Sequence, residues 1–223
     1  MSESPAHEPV NEDESALDSW IVEVRRRFAA PPPLRYAPAA GGNGAGAPAG
    51  EAARRAAALV TLWVDAGELW TLITERAQRL AGHRSPPAFP GALAGDDEGA
   101  WQAALRGGEQ EAGLDVRAAL DLGRLDELAT PAGVVVTPCV AALPARIVDQ
   151  RGAPAAAAAV EEVVALPLSA LAQPQLVERR PVEVAGRASE IVILHVGRRR
   201  IWGVTARVIL NLLARLGRSP AER

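Results

Sequence analysis

At 223 residues and 48% hydrophobic side chains, the chain is long enough for one domain with a sizeable core plus an extension. Its formal net charge of −3 lacks the basic surplus of a general nucleic-acid binder, so nucleic acid is not an expected partner. Cys139 is the only cysteine, which excludes an intramolecular disulfide, and no apolar run approaches the roughly 18 residues of a membrane-spanning helix.

The start is acidic and polar, without the basic and apolar regions of a signal peptide, so the chain reads as soluble and cytoplasmic. Residues 1–13 are too polar to build a core, and Leu17, Ile21, Val24 and Phe28 then repeat at helical spacing over 15–29. Residues 30–50 are dominated by Pro, Gly and Ala and read as a flexible linker. This divides the chain into an N-terminal extension over 1–53, a domain over 54–218 and a tail over 219–223. The domain opens with strands near 57–64 and 68–74 around an Asp65-Ala66-Gly67 turn. A helix is expected over 98–112, stopped by Gly113 in a left-handed conformation. Strands follow near 118–122, 134–142, 163–166, 182–184 and 191–195, then a last helix over about 205–216. Cys139 falls in an apolar strand and reads as a buried, inert thiol, and Trp202 reads as packing the last helix on the sheet.

The helix over 98–112 carries the most chemistry. From Phe89 to Leu114 the chain reads FPGALAGDDEGAWQAALRGGEQEAGL. Positions 107, 110 and 111 are spaced i, i+3, i+4 and share one helix face. Three carboxylates there would make a hard-oxygen nest for a divalent cation. Only Glu111 is acidic; Gln110 offers a carbonyl oxygen without charge, and Gly107 offers no side chain. Glu109 does not substitute, because it lies about 200° around the helix from position 107. Trp101, Ala104, Leu105 and Ala112 form an apolar stripe into which Gly108 falls, and two adjacent mid-helix glycines cost roughly 1 kcal/mol each relative to alanine.

This stretch resembles the Nudix box, Gly-x5-Glu-x7-Arg-Glu-U-x-Glu-Glu-x-Gly-U with U a bulky aliphatic residue. Glu98, Arg106, Glu111, Gly113 and Leu114 match; Ala92, Gly107, Gly108 and Gln110 depart from it. Three flanking segments resemble the coenzyme A diphosphatase branch. Upstream, Thr74, Arg76, Ala77, Leu80, His83, Phe89, Pro90 and Gly91 fit its pattern, with Ser85 a departure. Downstream, Thr130 to Pro144 resembles the strand after the helix, and Trp202, Gly203, Thr205 and Ala206 fit its closing W-G-x-T-A motif. In Ala159 to Leu171, Ala159 stands where the branch keeps a glutamate that is a candidate metal ligand or base, with Glu161 and Glu162 nearby. The resemblance covers roughly 54 to 216.

The resemblance implies an α/β (α+β) fold, the αβα sandwich of that superfamily with a mixed sheet, behind a flexible N-terminal extension. It also implies Mg²⁺- or Mn²⁺-dependent cleavage of the diphosphate of coenzyme A or an acyl derivative, to adenosine 3′,5′-bisphosphate and a phosphopantetheine. Catalytic candidates are Glu111, Glu98 and Arg106; metal candidates are Glu111 and Gln110; substrate-binding candidates are Arg76, His83 and Gly91. Each has a plainer reading. Glu111 is a helix-surface carboxylate, Glu98 a first-turn acid favoured by the helix dipole, Arg106 a partner of Glu98 or Asp97, and His83 a surface-loop histidine. With acids missing at Gly107, Gln110 and Ala159, the expected activity is weakened or absent, since groups acting as a unit fail together. The alternative is a binding module for a nucleotide or a protein, and a homodimer stays open. No nucleophile triad, Walker loop or dinucleotide fingerprint occurs in the chain.

Overall fold

Seven consecutive buried residues in strand β1 (Arg54–Asp65) organise the fold. A strand covered on both faces reads as a continuous apolar run rather than an alternation, as in AAALVTLWV. The structure is a computed structural model and describes residues 12–29, 54–76, 87–130, 132–144, 160–184, 187–218 and 220. β1 runs parallel to β6 (Val134–Ala142), from Arg54 opposite Val134 to Leu62 opposite Ala142. Its other edge takes two antiparallel partners in line: β3 (Gly91–Leu93) along its first half and β2 (Glu68–Arg76) along its second. The β1–β2 turn has Ala66 at φ 49° and Gly67 at φ 74°, the positive pair whose twist suits a two-residue hairpin loop.

β7 (Val160–Pro167) extends the sheet beyond β2. On the far side, β4 (Leu120–Arg124) and the short β5 (Leu128–Ala129) pair with β6. Among the described residues this is a seven-stranded mixed sheet ordered β4-β6-β1-β2-β7, with β3 and β5 filling in. A second antiparallel sheet is built from β8 (Val177–Val184), β9 (Arg187–Val196) and β10 (Arg199–Trp202).

Helix α2 (Ala100–Ala112) covers one face of the large sheet, against Ala57, Leu59, Trp63, Leu72 and Cys139. The other face carries α1 (Glu12–Ala29), the four-residue α3 (Leu168–Leu171), α4 (Gly203–Arg215) and the small sheet. This is the mixed α+β architecture expected of the chain, with helices on both sides of a mixed sheet. The helix expected over 15–29 begins three residues earlier, and it lies on the body: Ile21 and Val24 are buried in the main core. Arg27 donates to the Leu216 carbonyl at 2.7 Å, closing the C-terminal end of α4, and Arg25 reaches the Asp121 carbonyl at 3.3 Å.

Trp202 corrects an expectation. Alternation along β10 turns Ile201 inward, where it is fully buried, and leaves Trp202 44% exposed. Ile209, Leu210, Leu212 and Leu213 hold α4 to the core instead.

Candidate functional site

Helix α2 begins one residue after Gly99 and stops at Gly113, which adopts φ 63° as expected. Glu98 therefore lies before the helix rather than in its first turn. From there it folds back on Arg106: the guanidinium donates through Nε at 2.9 Å and through Nη2 at 2.6 Å. The Gly95 amide adds a third donor at 3.0 Å, and Arg106 Nη2 also donates to the Leu93 carbonyl at 2.8 Å. Arg106 first, and the Gly95 N–H second, hold the Glu98 carboxyl down at about 2. Of the partners weighed for Arg106, Glu98 is the one it takes, and the pair clamps the 93–98 loop to the helix.

Glu111 lies one turn further along. Its Oε2 accepts the Gly91 amide at 3.0 Å. Gly91 faces Ala58 across the ladder, and Leu59 donates to Pro90 while Ala94 donates to Arg55. Glu111 thus answers an edge amide that β1 does not take. It also lines a groove of about 280 Å³, shared with Phe89, Gly91, Val136, Thr205 and Val208.

The face shared by 107, 110 and 111 divides on folding. Gly107 is buried with Ala103, Ala104, Gly108 and Ala112, Gln110 is exposed, and Glu111 is half-buried. Position 107 thus belongs to the packing surface and does not open towards a ligand. A Cβ placed on Gly107 would lie 2.4 Å from both Cα and C of Gly91 and 2.9 Å from the Ala92 nitrogen. On Gly108 it would meet the Leu59 Cδ2 at 2.5 Å.

The acids near Ala159 are committed elsewhere or turned outward. Glu162 stands opposite Glu75 across the β2–β7 ladder, a like-charge pair that costs stability unless neutralised. Arg199 pairs with both, reaching Glu162 at 2.8 Å, and Arg198 adds a contact to Glu162 at 2.9 Å. Glu161 is exposed. A second groove of about 410 Å³ runs beside this cluster and the stacked Trp63 and Trp70 rings, whose centroids are 6.4 Å apart. His195 pairs with Glu178 at 2.6 Å.

His83 and Ala159 lie outside the described residues, and Arg76 ends β2 opposite Val160 with its side chain also outside them. The segments 77–86 and 145–159 contribute one acidic residue by sequence, Asp149. Among the described residues no three His, Cys, Asp or Glu side chains converge. The residues of α2 do not fit a multi-carboxylate site for Mg²⁺ or Mn²⁺, because the shared face carries one carboxylate and the Gly107 position has no room for another. Gln110, taken as a metal candidate, is exposed and uncharged.

No protein-family model matches the chain. Over 95 residues it is 38% identical to the uncharacterized Nudix hydrolase NudL of Yersinia pestis (strain Pestoides F), covering 42% of this chain and 47% of that protein. NudL of Yersinia pseudotuberculosis serotype O:1b (strain IP 31758) gives the same figures, 38% over 95 residues, 42% and 47%. The chain thus spans about half the length of the curated relatives it matches. Among solved structures, a MutT/nudix family protein from Enterococcus faecalis is 18% identical at a TM-score of 0.49, covering 77% of this chain and 64% of that one. The Ap4A hydrolase of C. elegans in a binary complex is 20% identical at 0.42, over 51% and 80%. No helix among the described residues is long and apolar enough to cross a membrane.

Proposed function

We propose that this chain is a protein of the coenzyme A diphosphatase kind, on a Nudix fold, that binds a diphosphate-linked nucleotide such as coenzyme A and hydrolyses it weakly or not at all. The observation that carries the reading is the state of α2: one carboxylate, Glu111, faces the groove, and the packing at Gly107 leaves no room for a second. The segments flanking the helix support the ligand class, and the local similarity to Nudix hydrolases supports the superfamily.

A second reading is favoured by what the helix retains. The Glu98–Arg106 clamp is fully formed, and Glu111 is fixed on Gly91, so the scaffold of a working hydrolase of the same substrate is largely kept. One assay separates the two: full-length protein, coenzyme A, and Mg²⁺ or Mn²⁺, with product nucleotide followed by chromatography and ligand-induced shifts in Tm measured in parallel. The binding reading expects turnover that is absent or at trace level and unaffected by Glu111→Ala, and a Tm rise with coenzyme A that persists in EDTA. Metal-dependent turnover that vanishes in Glu111→Ala establishes the hydrolase instead. Absence of both turnover and a Tm rise rejects coenzyme A as the ligand in either role.

A further inference from the structure

The glycine at 107 is explained by what it touches. The three atoms nearest its missing Cβ are backbone atoms of β3, which cannot swing aside as a side-chain tip can. β3 cannot withdraw either. Its three residues are laddered to Ala56, Ala57 and Ala58 of β1, and a Cβ on Gly91 would itself fall 2.4 Å from the Ala57 carbonyl oxygen. Nor can α2 lift away freely, since Ala103 and Ala104 are fully buried against the sheet beneath it. Ties flank the contact on both sides: Arg106 holds the Leu93 carbonyl, and Glu111 holds the Gly91 amide.

We infer that Gly107 and Gly91 form a backbone-to-backbone seam that locks α2 onto β3, and that this seam commits the helix to a form unable to assemble a divalent-cation site. The missing acid at 107 is then a consequence of the packing, and restoring it does not restore the site. Any side chain at 107 must part helix and strand by roughly 1 Å to reach ordinary contact, which strains the two ties beside it. Glu111 serves the seam by satisfying an edge amide. The inference concerns metal binding and packing, and it holds whatever nucleotide the chain takes.

The test uses full-length protein and two readouts that do not depend on turnover: Tm, and binding of Mn²⁺ alone followed by the electron paramagnetic resonance of the free ion. Wild type and Gln110→Glu are expected to show no saturable Mn²⁺ binding below roughly 1 mM, with the exposed Gln110→Glu change leaving Tm near wild type. Gly107→Ala decides the packing. In an open helix interior alanine is the better helix former and raises Tm; against the seam it is expected to lower Tm by roughly 4–10 °C. Gly107→Glu is expected to lose at least as much, or to fail to fold, with no gain of Mn²⁺ binding. An unchanged or raised Tm in Gly107→Ala overturns the seam. Saturable Mn²⁺ binding by wild type, or by a Gly107→Glu protein of wild-type Tm, overturns the commitment against metal. Metal-dependent turnover of coenzyme A would overturn the commitment against metal together with the binding reading, whereas the Tm of Gly107→Ala tests the seam alone, so the two failures can be told apart.

Discussion

Glu98 accepts from Arg106 Nε, Arg106 Nη2 and the Gly95 amide, and this concentration of donors has a readable consequence in pH. Its carboxyl is lowered from 4.5 to about 2, so folding favours the charged form. The contribution of the clamp is therefore complete above about pH 4.5 and is lost as pH falls through 4.5 towards 2. The Gly95 amide resonance is expected to titrate with a midpoint near 2 in wild type and to lose that step in Glu98→Gln; a midpoint at the ordinary carboxylate value would show that the clamp does not form in solution. Cys139 makes the opposite case. Burial pushes its thiol up to about 11, and it is fully buried. It is expected to resist a soluble disulfide reagent at pH 8 in folded protein and to react with one equivalent once the chain is unfolded; rapid labelling of native protein would mean that this strand opens. At this scale the sequence was informative where chemistry repeats a pattern. The pairing of Arg106 with Glu98 was one of the options its residues allowed. Gly107 was not legible, because helical spacing assigns a face but does not say whose backbone lies opposite it.

Helix α2 illustrates what an element owes to its ends. Gly99 begins it without a side-chain cap, and Gly113 ends it in the left-handed region at φ 63°, where its amide bonds to Glu109 and the next amide reaches Gly108. Alanine at 113 must take up a conformation that costs roughly 1 kcal/mol or more, so Gly113→Ala is expected to lower Tm by about 2–4 °C, measured by circular dichroism. No change would mean that the helix ends elsewhere. Long elements were legible: the strand expected over 134–142 is β6 with the same bounds, and the helix expected over 98–112 differs only at its start. β3, β5, β10 and α3 were not, because two to four residues cannot display a period. β8 is legible only at its end, since VERRPVEV places charge on both faces of the strand and a proline within it. The strand expected at 118–122 shifts to Leu120–Arg124 because Asp115 accepts the Arg117 amide and caps a single 3-10 turn over Val116–Ala118.

For the whole molecule, the sequence pattern marked 15–29 as an amphipathic helix but could not say what its apolar face met. In the structure that face is already used. Ile21 is 6% and Val24 1% exposed within the main core, Phe28 lies under the Arg215 guanidinium at 5.9 Å, and Arg27 closes α4. α4 is in turn tied to the loop after β4, where Asn211 donates to Asp126 at 2.8 Å. The N-terminal helix, β4 and the C-terminal helix are therefore expected to unfold as one body. Truncating Ile21 to alanine removes buried methylenes from this junction and is expected to cost about 2 kcal/mol. Guanidinium denaturation followed by tryptophan fluorescence and by far-ultraviolet dichroism should give one coincident transition in wild type and in Ile21→Ala, with the variant's midpoint lower and its slope unchanged. An unaltered midpoint, or a separate early phase reporting Trp20, would show α1 to be an attachment that the domain folds without. A coincident shift would mean that residues ahead of position 30 belong to the structural unit that carries the groove beside Glu111.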